Sequence, residues 1–386
     1  MSDPTLERAA WCALNTLFGF QPMTGHAIVR TLGCAAAAFL SGRNALRDRL
    51  GPAGCLSRLG PQALDEAAES LYALGRQGVR FVTFADDTYP ALLRECEDPP
   101  LGLYVRGGED LFPPKREAVA VVGTRDLSPY GDEWTRKIVA ALAASRARPV
   151  IVSGLALGTD AVAHRTALDC GLPTVGVLAT GIDRVYPSRH TALAARIAAL
   201  PDGGLITDFP PESPPLPVHF LRRNRIIAGL CRATVLVESK IRGGGMLTAR
   251  LAASYNRDVY VLPGRADDLR SAGCNRLLRE KIAEPLTDPA DIPAQLGLGP
   301  ALRSVQRDLP AELRHFYGET LAPEETERLI LLAGLIHGRR GIGTEELCRE
   351  SGLPYPAVAA GVGRLAADGI IATDLFGNCF IKPKKV

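Results

Sequence analysis

Between residues 118 and 296 the chain alternates short apolar runs with longer segments of helical periodicity. AVAVV (118–122), PVIVS (149–153), PTVGVLA (173–179), GLITD (204–208), ATVLVE (233–238) and DVYVLPG (258–264) are dominated by small and β-branched residues. Runs of this kind predict strands buried on both faces. Helical patterns cover about 130–147, 160–170, 189–200, 221–230 and 246–256. Strand and helix in alternation predict a doubly wound α/β domain on a parallel sheet. Ligands of such sheets bind outside the carboxyl ends of the strands.

The flanks read differently. Residues 1–84 carry apolar positions at helical spacing, broken by glycine turns. They predict a module of short helices similar to helix-hairpin-helix or SAM-like domains. Such a module can hold a nucleic-acid backbone through glycine-turn amides. With ten Arg against thirteen Asp or Glu in residues 1–114, the charge favours a structural or protein-contact role instead. A proline-rich connection at 85–114 leads to a short strand at 101–105, expected along the edge of the sheet. Residues 299–321 read as a linker containing a short helix. Helical patterns near 323–337, 344–350 and 355–367 follow, then a hairpin of 370–373 and 379–382 across Gly377 and Asn378. Three helices and a wing resemble a winged-helix domain. Eight basic and eight acidic residues in 322–386 argue for protein contact or dimer support over DNA reading, with Arg364 and the terminal lysines as the DNA alternative. The domains are therefore 1–84, 85–298 and 299–386.

Candidate chemistry collects at the strand ends. Gly123, Thr124 and Arg125 follow the first run and precede a helix. Helix N-terminal amides and a planar guanidinium both suit phosphate. No G-x-G-x-x-G or G-x-x-x-x-G-K-[ST] pattern accompanies them. Ser153 and Gly154 end the second run, and Ser153 lacks a nucleophile elbow. Asp160 and His164 share a helix face but have no third metal ligand nearby in sequence, so a helix cap and a packed histidine are expected. Asp183 reads as a loop aspartate that orders its own turn. Residues 209–220 contain many prolines and are expected to be extended. Phe220, Arg222, Arg223, Asn224 and Arg225 come next, in an interval (211–250) with seven Arg or Lys against two Glu. Gly243, Gly244 and Gly245 allow another chain to approach the backbone, and Thr248 offers a hydroxyl. Glu238 is the one carboxylate placed for catalysis beside these loops.

Composition narrows the class. Nine dispersed cysteines without a C-x-x-C pair predict reduced thiols in a cytoplasmic protein, not a disulfide framework or zinc site. No run of 18 apolar residues occurs, so no membrane span is expected. A net charge of +3 implies no particular partner.

Six blocks in order resemble the DNA-processing protein A family, also called Smf: AVAVVGTRDLSPYG, VSGLALGTDAVAHRTAL, FLRRNRIIAGL, VESKIRGGGMLTAR, DVYVLPGR and SAGCNRLL. The resemblance covers about residues 85–285. It implies an extended Rossmann-like domain that binds and protects single-stranded DNA and helps to load the RecA recombinase in natural transformation, without catalysis and without a cofactor. It implies a DNA site at Gly123, Thr124, Arg125, Ser153, Gly154, Phe220, Arg222, Arg223, Asn224, Arg225, Gly243, Gly244 and Gly245. The family often has Ser-Gly-Ser where Gly243, Gly244 and Gly245 stand, Arg at Leu157 and Ser at Thr124, so side-chain contacts differ at these positions. A homodimer through Leu277, Leu278 and Ile282 is also implied. The alternative is a nucleotide phosphoribohydrolase of the related Rossmann group, which would need a catalytic carboxylate such as Glu238.

Overall fold

A computed structural model of the chain describes residues 3–41, 43–50, 54–114, 116–299, 309–318, 320–337, 342–374 and 377–381. The chain forms two compact units, Met1–Leu302 and Arg303–Val386. The first holds a nine-stranded sheet: β1 Val79–Thr83, β2 Gly102–Gly107, β3 Ala118–Val122, β4 Val150–Ser153, β5 Thr174–Val177, β6 Gly204–Thr207, β7 Ala233–Leu236, β8 Asp258–Val261 and β9 Glu284–Pro285. Their order is β1-β2-β6-β5-β4-β3-β7-β8-β9. All pairs from β6 to β9 are parallel, while β1–β2 and β2–β6 are antiparallel.

The apolar runs form strands because both faces of the sheet are covered. Ala118, Ala120 and Val122 enter one core with Ile226, Ile227, Met246 and Ala249, from helices Pro217–Leu230 and Gly244–Ser254. Val119 and Val121 enter the opposite core with Ile138, Leu142, Ala163 and Ala167, from helices Pro129–Ala144 and Thr159–Asp169. Alternate side chains of β3 thus feed two cores, and none of its five positions is polar.

The chain winds from β3 outward through β4, β5 and β6, then returns to place β7 on the other side of β3. The winding reverses between β3 and β7, where the crevice of a doubly wound sheet opens.

The structure differs from expectation at several places. The strand β1 lies inside the segment expected to be helical, and it, not β2, forms the sheet edge. The N-terminal helices Pro4–Phe18, Pro22–Leu32 and Pro61–Gly75 share one continuous core with Phe81, Tyr104, Leu193, Ile197 and Leu205. Their apolar faces are closed by the sheet and not by one another alone. Helix Pro217–Leu230 starts inside the proline-rich stretch expected to be extended. Proline at a first helical turn loses no hydrogen bond, since that amide has no intrahelical acceptor.

The second unit contains helices Leu309–Tyr317, Pro323–His337, Thr344–Ser351 and Tyr355–Ala367, then the antiparallel pair β10 Ile371–Thr373 and β11 Cys379–Ile381. Leu313, Leu332, Leu347, Val358 and Leu365 fill its core. Arg364 is paired with Asp368 at 2.9 Å. Lys382, Lys384 and Lys385, like residues 300–308 of the expected linker, lie outside the described residues. Among the described residues no helix is long and apolar enough to cross a membrane.

Candidate functional site

A cleft of about 630 Å³ opens at the reversal point between β3 and β7. The loop after β3 brings Gly123, Thr124 and Arg125, and the loop after β7 brings Ser239, Lys240, Arg242 and the three glycines. The loop after β5 adds Tyr186, and the start of helix Pro217–Leu230 adds Phe220, Leu221, Arg223 and Asn224.

The glycine loop is held from several sides. Gly243 is the N-cap of helix Gly244–Ser254, and no side chain caps the first amides. A Cβ on Gly243 would lie 2.2 Å from the Ser239 hydroxyl, and one on Gly245 would lie 2.6 Å from a Leu236 methyl. Gly244 faces open space. Asn224 Nδ2 and Thr248 Oγ1 each donate to the Gly244 carbonyl at 3.4 Å. These contacts hold the loop against the end of β7, with uncapped helix-start amides that form an anion-receptive end.

Beside the buried Arg223, the cleft is lined by the cations Arg125, Lys240 and Arg242. All three are exposed, and none of their side chains makes a hydrogen bond or ion pair among the described residues. The Arg125 guanidinium stands 5.0 Å from the centre of the Phe220 ring. Tyr186 meets Phe220 edge to face, with ring centres 5.6 Å apart.

Of the residues expected to bind phosphate, Gly123, Thr124, Arg125, Phe220, Arg223, Asn224, Gly243, Gly244, Gly245 and Thr248 line the cleft, whereas Ser153, Gly154, Arg222 and Arg225 do not. Ser153 is fully buried and donates to the Val121 carbonyl at 2.7 Å. Gly154 is a packing glycine, since a Cβ there would collide with the Arg223 guanidinium. Arg223 lines the cleft but is 3% exposed, and it donates to the Gly154 carbonyl at 2.7 Å and to that of Val177. Burial pulls its pKa down to about 10, opposed by the nearby Asp160 carboxylate. Arg225 donates to Asp208 at 2.6 Å and to the Asp98 carbonyl. Arg222 reaches Asp208 at 3.3 Å and lies over the Phe20 ring. The arginine cluster therefore ties the unit together, because successive residues of a helix project about 100° apart and meet different neighbours.

The carboxylates are also engaged. Glu238 accepts from the Ser128 amide and hydroxyl at the start of helix Pro129–Ala144. Asp160 does not cap its own helix. It accepts from the Gly154 and Ala156 amides, and burial raises its pKa. His164 packs in the core against Thr174, and burial lowers its pKa to about 3. Asp183 accepts from the Glu212 amide, so it joins two loops and does more than order its own. Among the described residues no group of three or more His, Cys, Asp or Glu could hold a metal ion. Leu277 is fully buried against its own sheet and unavailable to a partner, while Leu278 and Ile282 are partly exposed.

Tyr186, Lys240 and Arg242 also line the cleft, though none carries a motif of its own in the sequence. Both cations lie in the basic interval 211–250, which was the available signal.

Fold and site define a doubly wound α/β protein with an anion-receptive cleft at its reversal point. The pattern of the DNA recombination-mediator protein A family matches residues 80–297. A DNA processing protein DprA of Mycobacterium tuberculosis is 37% identical over 303 residues, which are 76% of this chain and 75% of that protein. DNA processing protein DprA of Streptococcus pneumoniae is 38% identical over 224 residues, 58% of this chain and 77% of that protein. The X-ray structure of the Streptococcus pneumoniae protein superposes with a TM-score of 0.55 at 30% identity, covering 72% of this chain and 98% of that one. DNA processing protein A from Helicobacter pylori, solved for its single-stranded DNA binding mode, superposes with a TM-score of 0.50 at 29% identity, covering 56% of this chain and 96% of that one. The chain belongs to the DNA recombination-mediator protein A family.

Proposed function

We propose that the cleft binds single-stranded DNA without acting on it chemically, and that the protein serves DNA processing in transformation by protecting strands and passing them to RecA. The observation that carries the binding reading is the set of three exposed cations, Arg125, Lys240 and Arg242, whose side chains pair with no described residue, around an uncapped helix start. Such a site takes phosphates along a backbone and has few groups arranged to read base edges. The non-catalytic reading is supported by Glu238, whose carboxylate is taken up by Ser128. The steps of protection and RecA loading rest on the family.

Fluorescence anisotropy with labelled dT12 tests the binding. Affinity should fall with salt, and its log–log slope should lose about 0.7 for each phosphate contact removed. The double variant Lys240→Ala/Arg242→Ala should bind more weakly with a shallower slope. Binding that is equally tight to duplex, or unchanged in the double variant, would refute the reading. Turnover of a nucleoside monophosphate would favour the phosphoribohydrolase alternative.

The same reading extends to assembly. The N-terminal helices serve as a SAM-like contact module and the second unit as a winged-helix contact domain. A homodimer forms through the partly exposed Leu278 and Ile282. Light scattering of Leu278→Glu should give a folded monomer; a wild-type monomer at micromolar concentration would refute the dimer.

A further inference from the structure

The cleft has two chemically different walls. The loops after β3 and β7 supply the cations and the glycine amides. A second part of the lining, from the loop after β5 and the segment after β6, presents Tyr186, Pro215, Pro217, Phe220 and Leu221. Arg223 also lies on this side, but its guanidinium is held by strand-end carbonyls.

Tyr186 is 46% exposed and Leu221 is 53% exposed, so this wall offers apolar surface to solvent. The Tyr186 hydroxyl has no hydrogen-bond partner among the described residues. Its ring stands at 67° to that of Phe220, so packing alone leaves much of its area uncovered. Phe220 is more enclosed, with the Arg125 guanidinium over its ring. The freer aromatic surface in the cleft thus belongs to Tyr186.

We infer that Tyr186 is a base-contacting residue, so that a single strand lies with its bases on the wall of residues 186 and 215–221 and its phosphates on the wall of Arg125, Lys240 and Arg242. The inference rests on the proposed single-strand binding. Every base has a π face, so a tyrosine platform adds affinity without selecting sequence. Arg125 stands 5.0 Å from the Phe220 ring centre, so the two walls meet there and one strand reaches both.

The test compares dT12 with a twelve-unit abasic deoxyribose-phosphate strand, on wild type, Tyr186→Ala, Tyr186→Leu and Tyr186→Phe. Tyr186→Ala should bind dT12 about tenfold more weakly, the scale of one lost base stack, and bind the abasic strand as wild type does. Tyr186→Phe should restore dT12 binding, while Tyr186→Leu, which keeps bulk without a π face, should not. Equal losses on both strands, or no loss on either, would overturn the inference. Failure of wild type to bind dT12 at low salt would overturn the single-strand reading and this inference with it. Binding of wild type to dT12 with no effect at Tyr186 would overturn the inference alone.

Discussion

Replacing Arg223 with alanine should damage the fold before it damages binding. The side chain is 3% exposed and donates to the carbonyls of Gly154 and Val177. It also stands near the buried carboxylate of Asp160, whose pKa is raised by burial and lowered in opposition by Arg223. Alanine removes both donors and leaves a buried carboxylate without its counter-charge. Each of the two orphaned carbonyls costs about 1–3 kcal/mol unless water enters the vacated space. At about 2–4 °C per kcal/mol, the first unit should melt about 4–24 °C lower. Arg242→Ala is the control. Arg242 is exposed and its side chain pairs with no described residue, so its loss should leave stability within about 0.5 kcal/mol while weakening dT12 binding. Circular-dichroism melts and anisotropy at a temperature where all variants are folded separate the two effects. An Arg223→Ala variant with the wild-type midpoint but poor DNA binding would make Arg223 a phosphate contact and refute the assignment.

Two further outcomes follow from other buried groups. His164 should make the fold acid-sensitive: burial lowers its pKa from 6.5 to about 3, so below pH 6.5 the unfolded chain takes up a proton that the native state refuses. Its contribution is intact above pH 6.5 and falls by up to about 1.4 kcal/mol per pH unit down to about pH 3; a His164→Asn stability profile parallel to wild type over that window would contradict this. Gly243→Ala must displace the Ser239 hydroxyl, so it should cost about 1–3 kcal/mol and weaken dT12 binding, whereas Gly244→Ala meets nothing within 4 Å and should leave the melting midpoint unchanged. Equal melts for the two variants would show that the loop is not held as described.

Much of the central sheet was legible in the sequence, because strands buried on both faces leave a local record: runs such as AVAVV need no distant partner to be recognised. Glycine-to-helix junctions after β3 and β7 were legible for the same reason, since backbone freedom and helix starts are local properties. The strand β1 was hidden. Its five residues follow a long helix in a segment of helical periodicity, and they become a strand by pairing with β2.

The roles of the arginines were decided by tertiary structure. Arg222, Arg223 and Arg225 look alike in sequence, yet they meet Phe20, the strand-end carbonyls and Asp208, because the helix turns each toward a different neighbour. The exposed cations of the cleft, Arg125 and the pair Lys240 and Arg242, are more than a hundred residues apart in the chain. They meet because the winding reverses between β3 and β7, which places two distant strand ends side by side. Local sequence determined the central strands from β3 to β8 and the helix starts after β3 and β7; the edge strand β1 and the charges left free for a ligand depended on long-range strand pairing.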